Sequence, residues 1–87
     1  MNTTAEIKAF IKNIIAQELK EPVESISETA NFHEFGLDSI NSVFLLDKVQ
    51  LEFNVELTPL YFWDYPNIES FSNQIFKEIK DGSLGSV

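Results

Sequence analysis

Apolar residues at Ile7, Phe10, Ile11, Ile14, Ile15 and Leu19 recur at the three- and four-residue spacing that gives a helix one buried face. Lys8, Lys12, Asn13, Gln17 and Glu18 fill the remaining positions. Thr3 followed by Glu6 is a capping box at the start, and Pro22 marks the stop because the residue before a proline is pushed out of helical geometry. From Lys20 to Leu37 the period is lost. Val23, Ile26, Ala30, Phe32, Phe35 and Leu37 are scattered anchors in a connection of about eighteen residues, which predicts a packed loop with a short helical turn around Pro22–Ser27. Periodicity returns at Asp38 and runs to Phe53 or Asn54. Thr58-Pro59, an N-cap followed by proline at the first helical position, opens a short helix through Leu60–Trp63 that closes before Tyr65-Pro66. Asn67 caps a last helix with Ile68, Phe71, Ile75 and Ile79 on one face, ending near Asp81-Gly82. No alternating strand pattern and no internal repeat occurs. The expected fold is all-α, three main helices and a short one, forming one domain over residues 1–81 with a flexible tail at 82–87.

The second helix carries more apolar surface than a small bundle uses. Ser42, Leu45, Leu46, Val49 and Phe53 share one face, which reads as the core stripe. Ile40, Val43, Phe44 and Leu51 lie on roughly the opposite side, with Asp47 among them. Either the long loop folds back over this second stripe, or it is an exposed patch rimmed by acids that docks a partner.

Composition narrows the classes. Of 87 residues 44% are hydrophobic and eight are Phe, enough for one core, and the absence of Cys removes disulfides, thiolate metal sites and a Cys nucleophile. Six Lys, no Arg and fourteen acids give a net charge of −8, which repels phosphate backbones and anionic membranes and favours basic partner surfaces. Between Glu21 and Glu69 ten acids face one Lys, a balance of −9 that brackets residue 39. The longest apolar runs, Val43–Leu46 and Leu60–Trp63, are far below the ~20 residues that span a bilayer. No basic stretch leads into an apolar one at the N-terminus, so no secretory leader is expected. A disulfide-free domain of this kind fits the cytoplasm.

Candidate chemistry centres on Phe35-Gly36-Leu37-Asp38-Ser39-Ile40. Gly36 can supply a turn with positive φ, and Asp38 is a natural N-cap that places Ser39 in the first helical turn. An anion on that hydroxyl would meet unpaired backbone N–H groups and the positive end of the helix dipole; a plain cap is the competing reading. A hydrolytic nucleophile does not fit. The glycines of a nucleophile elbow are missing, and the one imidazole, His33, sits in the loop with no orienting partner, as a residue making local hydrogen bonds. A calcium loop starting at Asp38 fails at Ile40 and at Val43, where glycine is needed.

The same residues resemble the signature of acyl carrier proteins. Asn31-Phe32-His33-Glu34-Phe35-Gly36 is similar to that family's lead-in to its modified serine. Leu57-Thr58-Pro59, followed by Phe62-Trp63-Asp64-Tyr65-Pro66-Asn67-Ile68-Glu69, looks like the third helix and fourth-helix start of carrier domains from modular polyketide synthases. The resemblance covers roughly residues 7–79. It implies the four-helix carrier bundle, and a phosphopantetheinyl transferase that uses coenzyme A and Mg²⁺ to attach 4′-phosphopantetheine to Ser39. The resulting thiol arm would carry acyl groups as thioesters, on a domain that itself catalyses nothing. Asp38 is implied in transferase recognition. Leu37, Ile40, Val43, Phe44 and Asp47 are implied as the surface that meets an acyltransferase, a ketosynthase or other synthase enzymes, whose basic patches would face Glu34, Asp38, Asp47, Glu52 and Glu56. A monomer, without nucleic-acid or membrane partners and without a bound metal, is expected.

Phe35 stands where leucine is commoner in the family, and Phe44 where fatty-acid carriers have an acidic or polar residue. Trp63 and Tyr65 make the third helix unusually aromatic, which reads mostly as core packing. The Asp-Tyr-Pro step favours the polyketide or mixed peptide–polyketide type. A peptidyl or aryl carrier of a peptide synthetase shares the fold and the modification. An unmodified helical interaction module would share the bundle and the surplus stripe and leave Ser39 as a cap.

Overall fold

The computed structural model describes residues 3–36 and 39–85, except for the side chains of Ser39 and residues 81–85. Among the described residues are four α-helices, two 3-10 turns and no strand; α1 is Thr4–Leu19, α2 Ser39–Phe53, α3 Tyr61–Asp64 and α4 Ile68–Gly85. The expected capping box closes the start of α1: Glu6 N–H donates to Thr3 Oγ1 at 3.2 Å, and Thr3 N–H donates to Glu6 Oε1 at 2.9 Å. At the other end Lys20 takes the left-handed conformation, φ 57°, and its N–H returns to the Ala16 carbonyl. The helix therefore stops before Pro22 is reached.

The long connection is packed, as expected, and holds one turn that was expected and one that was not. Val23–Ser25 is a 3-10 turn inside the anticipated segment; Phe32–Phe35 is a second, capped at Asn31. Backbone bonds fasten the connection to the start of α4: Phe32 N–H donates to the Pro66 carbonyl at 2.8 Å and Glu69 N–H to the Glu28 carbonyl at 3.0 Å. Ile26 and Phe32 are buried pegs, while Val23 and Phe35 pack on the core edge.

The core is the one the periodicity outlined. Ile7, Ile11, Ile14 and Ile15 of α1 meet Leu45, Leu46, Val49 and Phe53 of α2 and Ile68, Phe71 and Ile75 of α4, all buried. Each such side chain contributes about 1.5–3 kcal/mol on leaving water. Phe71 is ringed by Phe32, Phe62 and Tyr61, with centroids 5.4, 5.4 and 6.3 Å away. Phe10 meets Phe53 edge-on at 5.3 Å. This contact sets the N-terminal half of α1 against the end of α2, so the end of α1 lies beside the start of α2.

Two expected boundaries move. The turn at Thr58–Leu60 is held by backbone bonds from Tyr61 N–H to Thr58 O and from Phe62 N–H to Pro59 O, and the α-helix proper begins at Tyr61 without a side-chain cap. Thr58 is therefore not the N-cap it was read as. At α4 the Asn67 cap is present, with Ser70 N–H donating to Asn67 Oδ1 at 2.8 Å, but the helix continues to Gly85, past the stop near Asp81-Gly82.

Candidate functional site

The chain approaches α2 through a turn that its own sequence dictates. In the 3-10 turn at Phe32–Phe35, Asn31 N–H donates to Glu34 Oε2 at 3.0 Å, and Gly36 N–H donates to the His33 carbonyl at 3.1 Å. Gly36 sits at φ +76° with nothing within 4 Å of where a Cβ would stand, so conformation, not space, calls for glycine. His33 is exposed and serves the turn through its backbone. Glu34, expected to face a basic partner, has one oxygen committed to the cap.

Ser39 is the opening residue of α2, a helix of 15 residues. The Asp38 cap, the contacts of Leu37 and the position of the Ser39 hydroxyl lie outside the described residues. What the backbone fixes is that residue 39 belongs to the first turn, where helical N–H groups lack intrahelical partners and the dipole is positive. Next to it Ile40 is 80% exposed, and Gly36 is exposed before it. A phosphodiester attached to residue 39 would thus have backbone hydrogen-bond donors and a favourable field at the start of α2, beside the exposed Ile40, so the helix start fits such a group.

The surplus stripe of α2 is bare. Val43 is 51% exposed, Phe44 41% and Leu51 82%, and Asp47 is exposed between them. The described part of the loop does not cover them; Ile26 and Phe32 go into the core and Val23 and Phe35 pack on its edge instead. Lys48 Nζ lies 5.2 Å from the centroid of the Phe44 ring, a cation–π contact that sequence reading missed. Trp63, expected among the packed aromatics, is 82% exposed, while Tyr61, Phe62 and Tyr65 pack on the core. A four-residue helix is too short for periodicity to tell its faces apart.

Two polar contacts hold the ends of this surface. Asn41 Nδ2 donates to Glu18 Oε1 at 2.6 Å, joining the first turn of α2 to the last turn of α1. The Tyr61 hydroxyl donates to Glu78 Oε2, which also accepts from Gln74 Nε2 at 3.1 Å, bracing α3 against α4. Burial first, and then that bond to Glu78, push the Tyr61 phenol up to about 12. Elsewhere, Lys12 at 2.5 Å and Lys8 at 3.4 Å pair with Glu28; the bond from Lys12 is the main cause holding this carboxyl below its usual value. No group of three or more metal-ligating side chains occurs among the described residues, and none of their helices is long and apolar enough to cross a membrane.

Comparison with known proteins locates this arrangement. Residues 9–75 match the family described as the phosphopantetheine attachment site. Polyketide synthase PksN of Bacillus subtilis (strain 168) is 33% identical over 73 residues, covering 84% of this chain and 1% of that protein. PksR of the same organism is 29% identical over 68 residues, 78% of this chain and 3% of its own length. The chain therefore spans only a few hundredths of these relatives. Among solved structures, a free-standing peptidyl carrier protein from an uncharacterized Acinetobacter baumannii secondary metabolic pathway superposes with a TM-score of 0.82 at 29% identity, covering 87% of this chain and 95% of that one. The HMG-ACPI domain of the CurA module from Lyngbya majuscula gives 0.80 at 27% identity, covering 93% and 82%.

Proposed function

The chain belongs to the phosphopantetheine attachment site family of carrier domains, and on that premise we propose that Ser39 is the attachment residue and that the cargo is a polyketide-type acyl intermediate. The observation that carries this reading is the position of residue 39: it opens a long helix at an exposed end of the bundle, inside the matched segment. When bound, 4′-phosphopantetheine supplies a terminal thiol for thioester carriage, which a chain without Cys lacks.

The chain's own residues anchor, orient and present. The Ser39 oxygen would hold the group through one ester of its phosphodiester, and the first turn of α2 would stabilise the negative charge through its free N–H groups and dipole. Asp38, which precedes α2 in the sequence, is the residue that the phosphopantetheinyl transferase reads. The exposed Ile40, Val43, Phe44 and Asp47, with Leu37 just before them in the sequence, are the residues that meet the transferase and then an acyltransferase, a ketosynthase or other synthase enzymes. The net charge of −8 steers that surface to basic sites. The domain performs no catalysis. It works as a monomer in the cytoplasm, with residues 1–81 as the carrier unit and 82–87 as its tail.

A peptidyl carrier role is the second reading, favoured by the likeness to the Acinetobacter peptidyl carrier. Both are tested together. Incubation with a broad-specificity phosphopantetheinyl transferase, coenzyme A and Mg²⁺ is expected to add one phosphopantetheine by intact mass, and none in Ser39→Ala. An unmodified wild-type protein, or an adduct that survives Ser39→Ala, overturns the assignment. Loading by an acyltransferase but not by an aminoacyl-activating enzyme supports polyketide cargo, and the reverse supports the peptidyl carrier.

A further inference from the structure

We infer that the Glu18–Asn41 pair is a positioning device that aims the first turn of α2, and with it residue 39, at the modifying enzyme. The inference rests on the reading of Ser39 as the attachment residue. Its starting point is that the deep core gives this turn little: Ile40 is 80% and Val43 51% exposed, Asn41, Ser42 and Phe44 are partly covered, and the fully buried described residues of α2 begin at Leu45. A helical end that projects past its core frays unless something else fixes it. Here Asn41, the third residue of the helix, reaches 23 positions back in the chain and donates to Glu18 Oε1 at 2.6 Å.

The electrostatics make the choice of partner telling. Glu18 lies in the last turn of α1, where a carboxylate opposes the dipole of its own helix. Across the contact, the same carboxylate faces the positive end of α2. A residue unfavourable to its own element and favourable to its neighbour stabilises the junction between them rather than either helix. Moreover, the bond connects the two helix ends that the long loop joins, so it fixes the direction of α2 independently of the loop.

Three variants separate this role from simple helix stability and from surface charge. Asn41→Asp removes the donor and sets two carboxylates against each other. Acting on an isolated helix, the same change would strengthen the first turn, because an acid there favours the dipole. The two accounts therefore differ in sign. Glu18→Gln keeps an acceptor but gives up the charge that faces α2, so it should loosen the first turn less than Asn41→Asp does. Combining Glu18→Gln with Asn41→Asp restores a donor–acceptor pair with its direction reversed and leaves the net charge unchanged.

At neutral pH, Asn41→Asp is expected to speed amide exchange at Val43 and Phe44, whose N–H groups bond to the carbonyls of residues 39 and 40, by about two- to fivefold. Its kcat for modification by the transferase should fall by a similar factor with KM unchanged, and the double variant should recover both. Slower exchange in Asn41→Asp, or no recovery in the double variant, overturns the tether. Normal exchange behaviour with an unchanged kcat overturns its positioning role. A wild-type chain that accepts no phosphopantetheine overturns the Ser39 reading instead, and the role with it.

Discussion

Substituting Phe44 by Glu tests whether the bare stripe of α2 binds partners, and the structure sets the size of every term. Phe44 is 41% exposed and is not among the side chains packed on the core; its neighbour is Lys48, 5.2 Å from the ring centroid. The change removes an exposed cation–π contact of about 0.5–1 kcal/mol. It creates a Glu-to-Lys pair four residues apart, in the favourable orientation, of about 0.2–0.5 kcal/mol. Glu is also a better helix former than Phe by a few tenths. The terms nearly cancel, so stability should stay within about 0.5 kcal/mol and Tm within about 4 °C. A core Phe would cost about 3–5 kcal/mol, which is well separated from that range. Transfer to or from a partner enzyme should nevertheless fall on the order of tenfold in kcat/KM, as for a buried aromatic anchor. Because the variant is one charge more acidic, docking driven by charge alone would quicken. Thermal melting and transfer assays on the loaded protein read the two effects separately. A stability loss above about 2 kcal/mol, or transfer as fast as wild type, refutes the reasoning.

Two further expectations follow from groups buried away from the stripe. Ser72 is fully buried in α4 and its hydroxyl has no hydrogen-bond partner among the described residues; relieving that desolvation, with the better helix propensity of Ala, should make Ser72→Ala more stable by about 1 kcal/mol in denaturant titration. A destabilised variant would reveal a partner for the hydroxyl. Tyr61 is raised from 10.0 to about 12, chiefly by burial and then by its bond to Glu78, so the folded state holds this proton more tightly than the unfolded one. Its contribution to stability is complete below pH 10 and is lost as pH climbs through about 12. Phenolate absorbance should therefore show a step near pH 12 that disappears in Tyr61→Phe; a titration without that step contradicts the burial of this phenol together with its bond to Glu78.

Most of the bundle was legible because its long helices advertise themselves twice, by periodicity and by their ends. The Thr3–Glu6 box and the Asn67 cap occur where their side chains suggested, and Leu45, Leu46, Val49 and Phe53 of the core stripe are buried as their spacing implied, while the exposure of the second stripe was one of two outcomes the spacing left open. Local patterns fail where an element is short or a contact is distant. Nothing in Leu60–Trp63 distinguishes the face that packs from the face that leaves Trp63 bare, and the cap read at Thr58 proved to be a backbone turn one step before the helix. The Asn41–Glu18 bond and the Tyr61–Glu78 brace join residues with no common period, so only the fold brings them together. Ser72 was invisible for a different reason: a small polar residue in an apolar stripe looks like an interruption, not a member of the core.

The two faces of α2 impose opposite demands that net charge reconciles. A stripe containing Ile40 at 80% and Leu51 at 82% exposure invites self-association, since it would bury apolar surface against a second copy. Yet a carrier must keep that stripe free for a succession of enzymes and release each one quickly. In the proposed carrier role, a net charge of −8 on so small a body would oppose contact between copies while attracting basic surfaces, so one property would suppress the wrong association and select the right one. Electrostatic attraction acts mainly on the rate of encounter, leaving departure to the few apolar contacts. This is the balance a shuttle needs. Anchored along Leu45, Leu46, Val49 and Phe53, α2 can hold the stripe and its first turn out in solvent without the core having to surround either.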